Sequence, residues 1–133
     1  MTSYLLDTNI VSDLVRHPRG TVRNRIAEKR GGHIGTSIIV AAELRYGAGR
    51  KKSSGLASQL EEVLAGLEIF ALAEPTDVYY ARLRAQLEKA GKTIGGNDMF
   101  IAAHALALGC TLVTDNVREF SRVKALTVEN WLR

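Results

Sequence analysis

The sequence predicts an α/β fold with a mostly parallel central sheet and helices on both faces. Three observations predict it: short apolar runs of strand type recur along the chain, stretches of helical periodicity separate them, and glycine or proline marks the junctions. Strands that alternate with helices form βαβ units, which build parallel sheets covered on both sides. With 133 residues, 46% hydrophobic and 24% charged, the chain is expected to form one domain with an ordinary core.

The elements follow in order. Residues 4–6 read as a strand, and Asp7, Thr8 and Asn9 come directly after it with no glycine between. Ile10, Val11, Leu14 and Val15 have helical spacing, which predicts a helix over 10–15 that stops before Pro18. A second helix is expected over 22–29, ended by Gly31 and Gly32. Residues 34–36 form a brief strand, and Ser37 is placed to cap a helix over 38–46 that Gly47 ends. The stretch 47–55, GAGRKKSSG, has loop composition. An amphipathic helix over 56–67 leads to a strand over 68–72. Pro75 then stands in the first turn of a helix striped by Val78, Leu83 and Leu87 and closed by Gly91. Gly95, Gly96 and Asn97 introduce a helix over 98–108 that Gly109 closes. Residues 111–114 return as a strand, 116–121 as a short helix, and 126–131 as a last edge strand with Trp131 as a packing residue.

The formal net charge is +4, and it is uneven. Residues 1–52 hold ten basic and four acidic side chains, whereas the remainder is slightly acidic. A basic amino-terminal part points to an anionic partner. Cys110 is the single cysteine, so no internal disulfide forms; it reads as a buried small hydrophobe. The start of the chain lacks a basic leader, and the apolar stretch 99–113 is broken by His104 and Gly109, which together predict a soluble cytoplasmic protein.

Several acids stand in places where acids are costly. Asp7 follows the first strand, and the carboxyl edge of an α/β sheet is where ligands bind, although Asp, Thr and Asn are also favoured helix N-caps. Glu43 shares a helical face with Ile39 and Tyr46, which points its carboxylate inward. Asp98 shares a stripe with Ile101, Ala102, Ala105 and Leu108, although a first-turn acid also suits the helix dipole. Asp115 follows the strand 111–114 as Asp7 follows 4–6. Acids converging at one edge repel one another and raise each other's pKa unless a positive charge sits between them. A hard divalent cation, Mg²⁺ or Mn²⁺, fits such a site and binds through one or two carboxylates plus a substrate phosphate. That chemistry is phosphoryl transfer with water as nucleophile. Arg45, Arg50, Lys51 and Lys52 are then candidates for contacts that position a polynucleotide backbone.

Leu-Leu-Asp7-Thr8-Asn9 comes first, then Ala42-Glu43-Leu44 with Tyr46-Gly47. Ile94-Gly95-Gly96-Asn97-Asp98 follows, with Ile101-Ala102-Ala103-His104-Ala105, and last come Val113-Thr114-Asp115-Asn116 with Glu119-Phe120. Together, over essentially the whole chain, they resemble the PIN-domain ribonucleases, specifically the VapC-type toxins of bacterial toxin–antitoxin pairs. The resemblance implies a PIN-like three-layer fold and a Mg²⁺-dependent endoribonuclease. It also implies a homodimer, held inactive by a small VapB-type antitoxin whose carboxy-terminal segment covers the acidic site. Residues 94–131 are similar to the subgroup that cuts initiator tRNA in its anticodon stem-loop.

Position by position, the resemblance makes Asp7, Glu43 and Asp98 the catalytic acids and metal ligands. The fourth position stays open: Asn116 stands two after the threonine, Asp115 one step earlier and Glu119 three later, with Asp115 and Asn116 placed ahead of Glu119. Thr8, Asn9 and Thr114 suit the fixing of the carboxylates. His104 reads as a packed or interface histidine rather than a general base. A phosphotransferase with Asp7 as nucleophile commonly wants a second acid where Asn9 stands. A non-catalytic binding module on the same fold is the remaining alternative. A dinucleotide-binding domain is disfavoured, because no glycine fingerprint follows the first strand.

Overall fold

The central strand β1 (Ser3–Leu6) is buried from both sides, with Leu5 and Leu6 fully inaccessible, as a strand inside a parallel sheet must be. In the computed structural model, which describes residues 2–29 and 32–133, β1 pairs with β2 (His33–Ser37) on one side and β4 (Thr111–Val113) on the other. β3 (Glu68–Phe70) extends the sheet beyond β2, and β5 (Val128–Glu129) extends it beyond β4. All four pairings are parallel, and the order is β3-β2-β1-β4-β5. Leu6 is level with Thr36 and with Val113, so the residues after β1, β2 and β4 emerge side by side at one edge. The strand order reverses at β1, which makes that edge the crevice of an open α/β sheet.

Among the described residues, seven helices connect the strands: α1 (Thr8–Arg16), α2 (Thr21–Glu28), α3 (Ile38–Arg50), α4 (Ser54–Ala65), α5 (Thr76–Ala90), α6 (Gly96–Leu108) and the single turn α7 (Val117–Phe120). Right-handed crossovers place α1 to α4 over one face and α5 and α6 over the other. The packing agrees: α1 touches α3 and α4, and α5 lies along α6. The predicted three-layer α/β fold is therefore present. No helix among the described residues is long and apolar enough to cross a membrane.

Local rules explain most boundaries. Ser37 caps α3 by accepting from the Ile39 amide at 3.0 Å, and Gly91 and Gly109 close α5 and α6 in the left-handed conformation, at φ of 67° and 68°. Trp131 is fully buried, tilted against Tyr4 with ring centroids 5.1 Å apart, and its indole N–H donates to Glu129 at 2.9 Å. Cys110 is buried, and its thiol is pushed up to about 11, chiefly by that burial.

Other expectations fail. Gly47 does not end α3, which runs through Gly47 and Gly49 to Arg50, so the predicted loop 47–55 shrinks to a turn before Ser53 caps α4. Each glycine costs about 1 kcal/mol against alanine in a helix, and packing of Ala48 and Leu44 against the core outweighs that local preference. Tyr46, Val78 and Leu108 face outward, at 68%, 43% and 43% exposure, so each predicted inward stripe loses its terminal member. α1 starts two residues earlier than the apolar pattern shows because Asp7 itself caps it. β3 and β5 are shorter than predicted, as edge strands with one partner each. The expected stop of α2 at Gly31 lies outside the described residues, as does Arg30 of the basic amino-terminal group.

Gly35 sits where β2 meets β3 most closely, since a Cβ there would collide with the Glu68 carbonyl oxygen and with the Phe70 ring. Gly35→Ala is expected to destabilise the protein by about 1–3 kcal/mol through forced strand separation. A urea denaturation midpoint equal to that of the parent would show that β2 and β3 tolerate the extra methyl group.

Candidate active site

Asp7 is the first residue beyond the central strand. Its amide donates to the Val113 carbonyl at 2.8 Å, which carries the sheet ladder one step past β1 and fixes the backbone on which the carboxylate is mounted. The carboxylate is only 4% exposed. One oxygen accepts from the Thr8 amide at 2.8 Å and the other from the Thr114 hydroxyl at 2.8 Å. Asp7 is thus the N-cap of α1 and a site acid at once, because each carboxylate oxygen keeps a further lone pair. Burial holds this carboxyl above its ordinary range, and the two hydrogen bonds offset part of the rise.

Thr114 is the hub that joins the two strand ends. Its hydroxyl donates to Asp7 and accepts from the Asn116 amide at 3.0 Å, with the Asn9 carboxamide N–H at 3.5 Å. The Asn9 carbonyl oxygen in turn accepts from the Asp115 amide at 2.9 Å, so Asn9 clamps the turn after β4. Below this edge, the buried Thr36 hydroxyl donates to the Leu6 carbonyl at 2.6 Å and ties β2 to β1.

Glu43 comes from the second turn of α3 and Asp98 from the first turn of α6. Glu43 is half-buried, and its Oε1 is inaccessible with no hydrogen-bond partner. Burial, then the negative charge of Asp7, raises its pKa. Asp98 is pushed up to about 6, first by burial and then by the charges of Asp7, Glu119 and Glu43. The helix dipole favours an ionised acid in the first turn, so the net rise shows that burial and like charge outweigh it here. Asp7, Glu43, Asp98 and Glu119 therefore form one electrostatically coupled group.

The three candidates for the fourth position point in different directions. Glu119 accepts from the Gly95 amide at 3.3 Å and from the Asn116 carboxamide at 2.6 Å, which holds it beside the start of α6. Asp115 instead accepts from the Asn130 carboxamide at 3.0 Å and lies 3.7 Å from the Arg133 guanidinium. Asn116 reaches the site through Glu119. The one-turn helix α7 sets these directions, and a strand-end count cannot reveal how it turns.

His104 is buried, with one ring nitrogen 3.0 Å from the Ala71 carbonyl and the other 2.9 Å from the Ser37 hydroxyl. A carbonyl only accepts, so Nε2 carries the proton and Nδ1 accepts from Ser37 in the neutral ring. Burial lowers its pKa and keeps it neutral. It cross-links α6 to the exits of β2 and β3.

The basic residues singled out from sequence are not gathered at the acids. Arg45 forms a two-pronged pair with Glu61 at 3.0 Å for each contact, and Arg50 lies 5.8 Å from the Tyr46 ring. Lys52 occupies the turn after α3 with a φ of 52°, and Lys51 lines a groove of about 270 Å³ that also reaches Glu43. Val15, Leu44, Ala48, Leu56 and Leu60 make this groove largely apolar.

Among the described residues, no group of three or more His, Cys, Asp or Glu side chains forms a ready-made metal cage. The donor set nonetheless suits a hard cation that keeps several of its waters. Three carboxyls have raised pKa values, and one buried carboxylate oxygen has no donor; both features are relieved by a positive charge placed among them.

Comparison with known proteins agrees in sequence and in shape. The PIN domain family model matches residues 4–126. Ribonuclease VapC2 of Rickettsia felis is 42% identical over 130 residues, covering 96% of this chain and 97% of its own length. The tRNA(fMet)-specific endonuclease VapC of Shigella flexneri is 31% identical, covering 98% of this chain and 99% of its own. A crystal structure of VapBC2 from Rickettsia felis bound to a DNA fragment from their promoter superposes with a TM-score of 0.93 at 39% identity, over 98% of this chain and 99% of that one. The chain belongs to the PIN-domain family and, within it, to the VapC-type ribonucleases.

Proposed function

We propose that this protein is the toxin of a type II toxin–antitoxin pair, a divalent-metal-dependent endoribonuclease of the cytoplasm that hydrolyses phosphodiester bonds in RNA. The observation that carries this reading is the convergence of Asp7, Glu43 and Asp98, brought from β1, α3 and α6 to one sheet edge with their pKa values raised by burial and mutual charge. Bound Mg²⁺ or Mn²⁺ would neutralise the carboxylates, orient a phosphate oxygen and activate water for in-line attack. Asp7 and Asp98 would hold the cation. Glu43, whose Oε1 has no partner among the described residues, would orient the attacking water or hold a second ion. Thr114, Thr8 and Asn9 keep the Asp7 carboxylate in one position, and Asn116 does the same for Glu119, which stands in the fourth place ahead of Asp115.

Initiator tRNA, cut in its anticodon stem-loop, is the proposed substrate; its support is the 31% identity to the tRNA(fMet)-specific endonuclease of Shigella flexneri. The partner is a VapB-type antitoxin, supported by the likeness to VapBC2, and the apolar groove that opens at Glu43 suits a hydrophobic segment of it. The exposed side chains of Ile38, Tyr46, Leu72 and Val78 supply apolar surface for a homodimer.

Inducing the protein beside its Asp98→Asn variant and mapping new RNA 5′ ends tests the reading. The parent should yield a discrete cut that Mg²⁺ chelation removes from the purified reaction, and the variant should lose at least about 100-fold in rate. Thr114→Val should lose roughly 10–100-fold, as expected when a group that orients a ligand is removed. An Asp98→Asn protein that cuts as well as the parent would overturn the assignment.

The pH dependence has a definite sign. Asp98 rises from its ordinary 3.8 to about 6, so its contribution to metal-free stability is fully present below the lower value and is lost as the pH climbs through the upper one. Asp98→Asn should therefore raise the metal-free melting temperature at about pH 7 and change it little at about pH 4. At sub-saturating Mg²⁺, cleavage by the parent should rise with pH toward the range near 6, because the cation has to displace the proton from metal-free Asp98. A melting temperature at neutral pH that falls on this substitution would contradict the electrostatic account of the site.

A further inference from the structure

A cleft larger than the groove at Glu43 lies outside the acidic site. It measures about 690 Å³ and runs between the carboxyl end of α5 and the segment from α7 to Ala125. Lys89 and Lys92 line one wall, and Arg118, Arg122 and Lys124 the other. No acidic side chain is among its lining residues; Gln86 and Ser121 add neutral hydrogen-bonding groups. All five cationic residues are exposed, and among the described residues none of them forms a salt bridge. The two acids beside them in sequence are engaged elsewhere: Glu88 pairs with Arg84 at 3.1 Å, and Glu119 is held by Gly95 and Asn116.

Five like charges facing one cleft repel one another, and no carboxylate among the described residues pairs with them. An extended polyanion would. The position of the cleft identifies which one. Arg122 donates to the Thr93 carbonyl at 3.0 Å, while Glu119, three residues earlier, accepts from the Gly95 amide at 3.3 Å. The strand of chain from Thr93 to Gly95 is therefore the partition between the basic cleft and the acids around Asp98. A polyanion lying in the cleft would have the acidic cluster on the other side of this partition. The cluster itself repels phosphates, so a substrate chain needs favourable contacts close by.

Resting on the nuclease reading above, we propose that this cleft binds the phosphate backbone of the RNA substrate on one side of the scissile bond, with Lys89, Lys92, Arg118 and Lys124 as phosphate contacts and Arg122 as the link to the acidic site. The bound chemistry is a run of phosphodiesters, recognised by charge rather than by base. Of the basic residues in α3, Arg45 is paired with Glu61 and Arg50 lies against Tyr46.

The test uses the full-length protein and a fluorescein-labelled single-stranded RNA oligonucleotide of mixed sequence. Binding is followed by anisotropy in EDTA across a salt series, and cleavage of the same RNA in Mg²⁺ is followed in parallel. The variant K89Q/K92Q/R118Q/K124Q leaves Arg122 intact. Its affinity should fall roughly tenfold or more, and the slope of log K against log salt should shrink by about 0.7 for each phosphate contact removed. A control, R19Q/R23Q/R25Q/R82Q, removes the same formal charge elsewhere and should lose far less; equal losses would assign the effect to net charge and overturn the proposal. The charge-retaining K89R/K92R/K124R variant should bind as the parent does. The pairs K89Q/K92Q and R118Q/K124Q give the same readout with smaller changes should the fourfold variant melt early. Parent-like RNA binding by the glutamine variants, while the parent cuts RNA, would sink the cleft and leave the nuclease intact. Loss of polyglutamate binding with RNA binding unchanged would assign the cleft to an acidic polypeptide instead. A parent that neither binds nor cuts RNA with any divalent metal would fail the nuclease reading and this inference with it.

Discussion

The carboxylate of Asp7 has to stay in one place although it is almost out of water and faces other acids. Three devices accomplish this: the ladder hydrogen bond from its own amide to β4, the Thr8 amide on one oxygen and the Thr114 hydroxyl on the other. Much of the surrounding structure follows from that requirement. β1 must lie between β2 and β4 so that α3 and the turn after β4 meet it at the same edge, and Thr36 and Asn9 lock the two neighbours in register. Hydrogen bonds to a carboxylate favour its charged form, yet burial still dominates at Asp7. The site is thus a region where the fold gives up stability, as functional clusters commonly do, and the apolar core beneath it carries the difference.

What could be read from sequence follows from which interactions are local. Ser37 caps the helix it precedes, Gly91 and Gly109 close helices through their own backbone conformation, and Asp7 marks a strand end; each depends on residues a few positions away. The convergence of Asp7, Glu43 and Asp98 was legible because each lies at a position that sheet topology brings to one edge. Gly47 misled because helix propensity is weaker than the packing of Ala48 and Leu44. The directions of Glu119 and Asp115 are not legible in the same way, because they are set by contacts with Gly95 and Asn130, both distant in sequence from the turn after β4.

Charge shows the same limit at larger scale. Counting along the chain marks the first 52 residues as basic and the remainder as slightly acidic. Yet five of the eight basic residues after position 52 face one cleft, while their acidic neighbours turn toward Arg84 or toward the site. The two walls come from α5 and α7, which only the folded chain brings together. Opposite charges thus end up on the two sides of one short segment, Thr93 to Gly95, with the acids coupled through it to α6 and the cations open to solvent.

The bond between Thr114 and Asp7 spans 107 positions in the chain. A ribosome adds about 5–20 residues per second, so roughly 5–20 seconds pass between synthesis of the first partner and synthesis of the second. During that interval β1 has no neighbour on its β4 side, and the Asp7 carboxylate has no hydroxyl to hold it. A nascent chain therefore carries its first acid without the geometry that makes it part of a site. The parallel pairing of the first strand with a late one thus sets the point in synthesis after which the Asp7 carboxylate can be fixed.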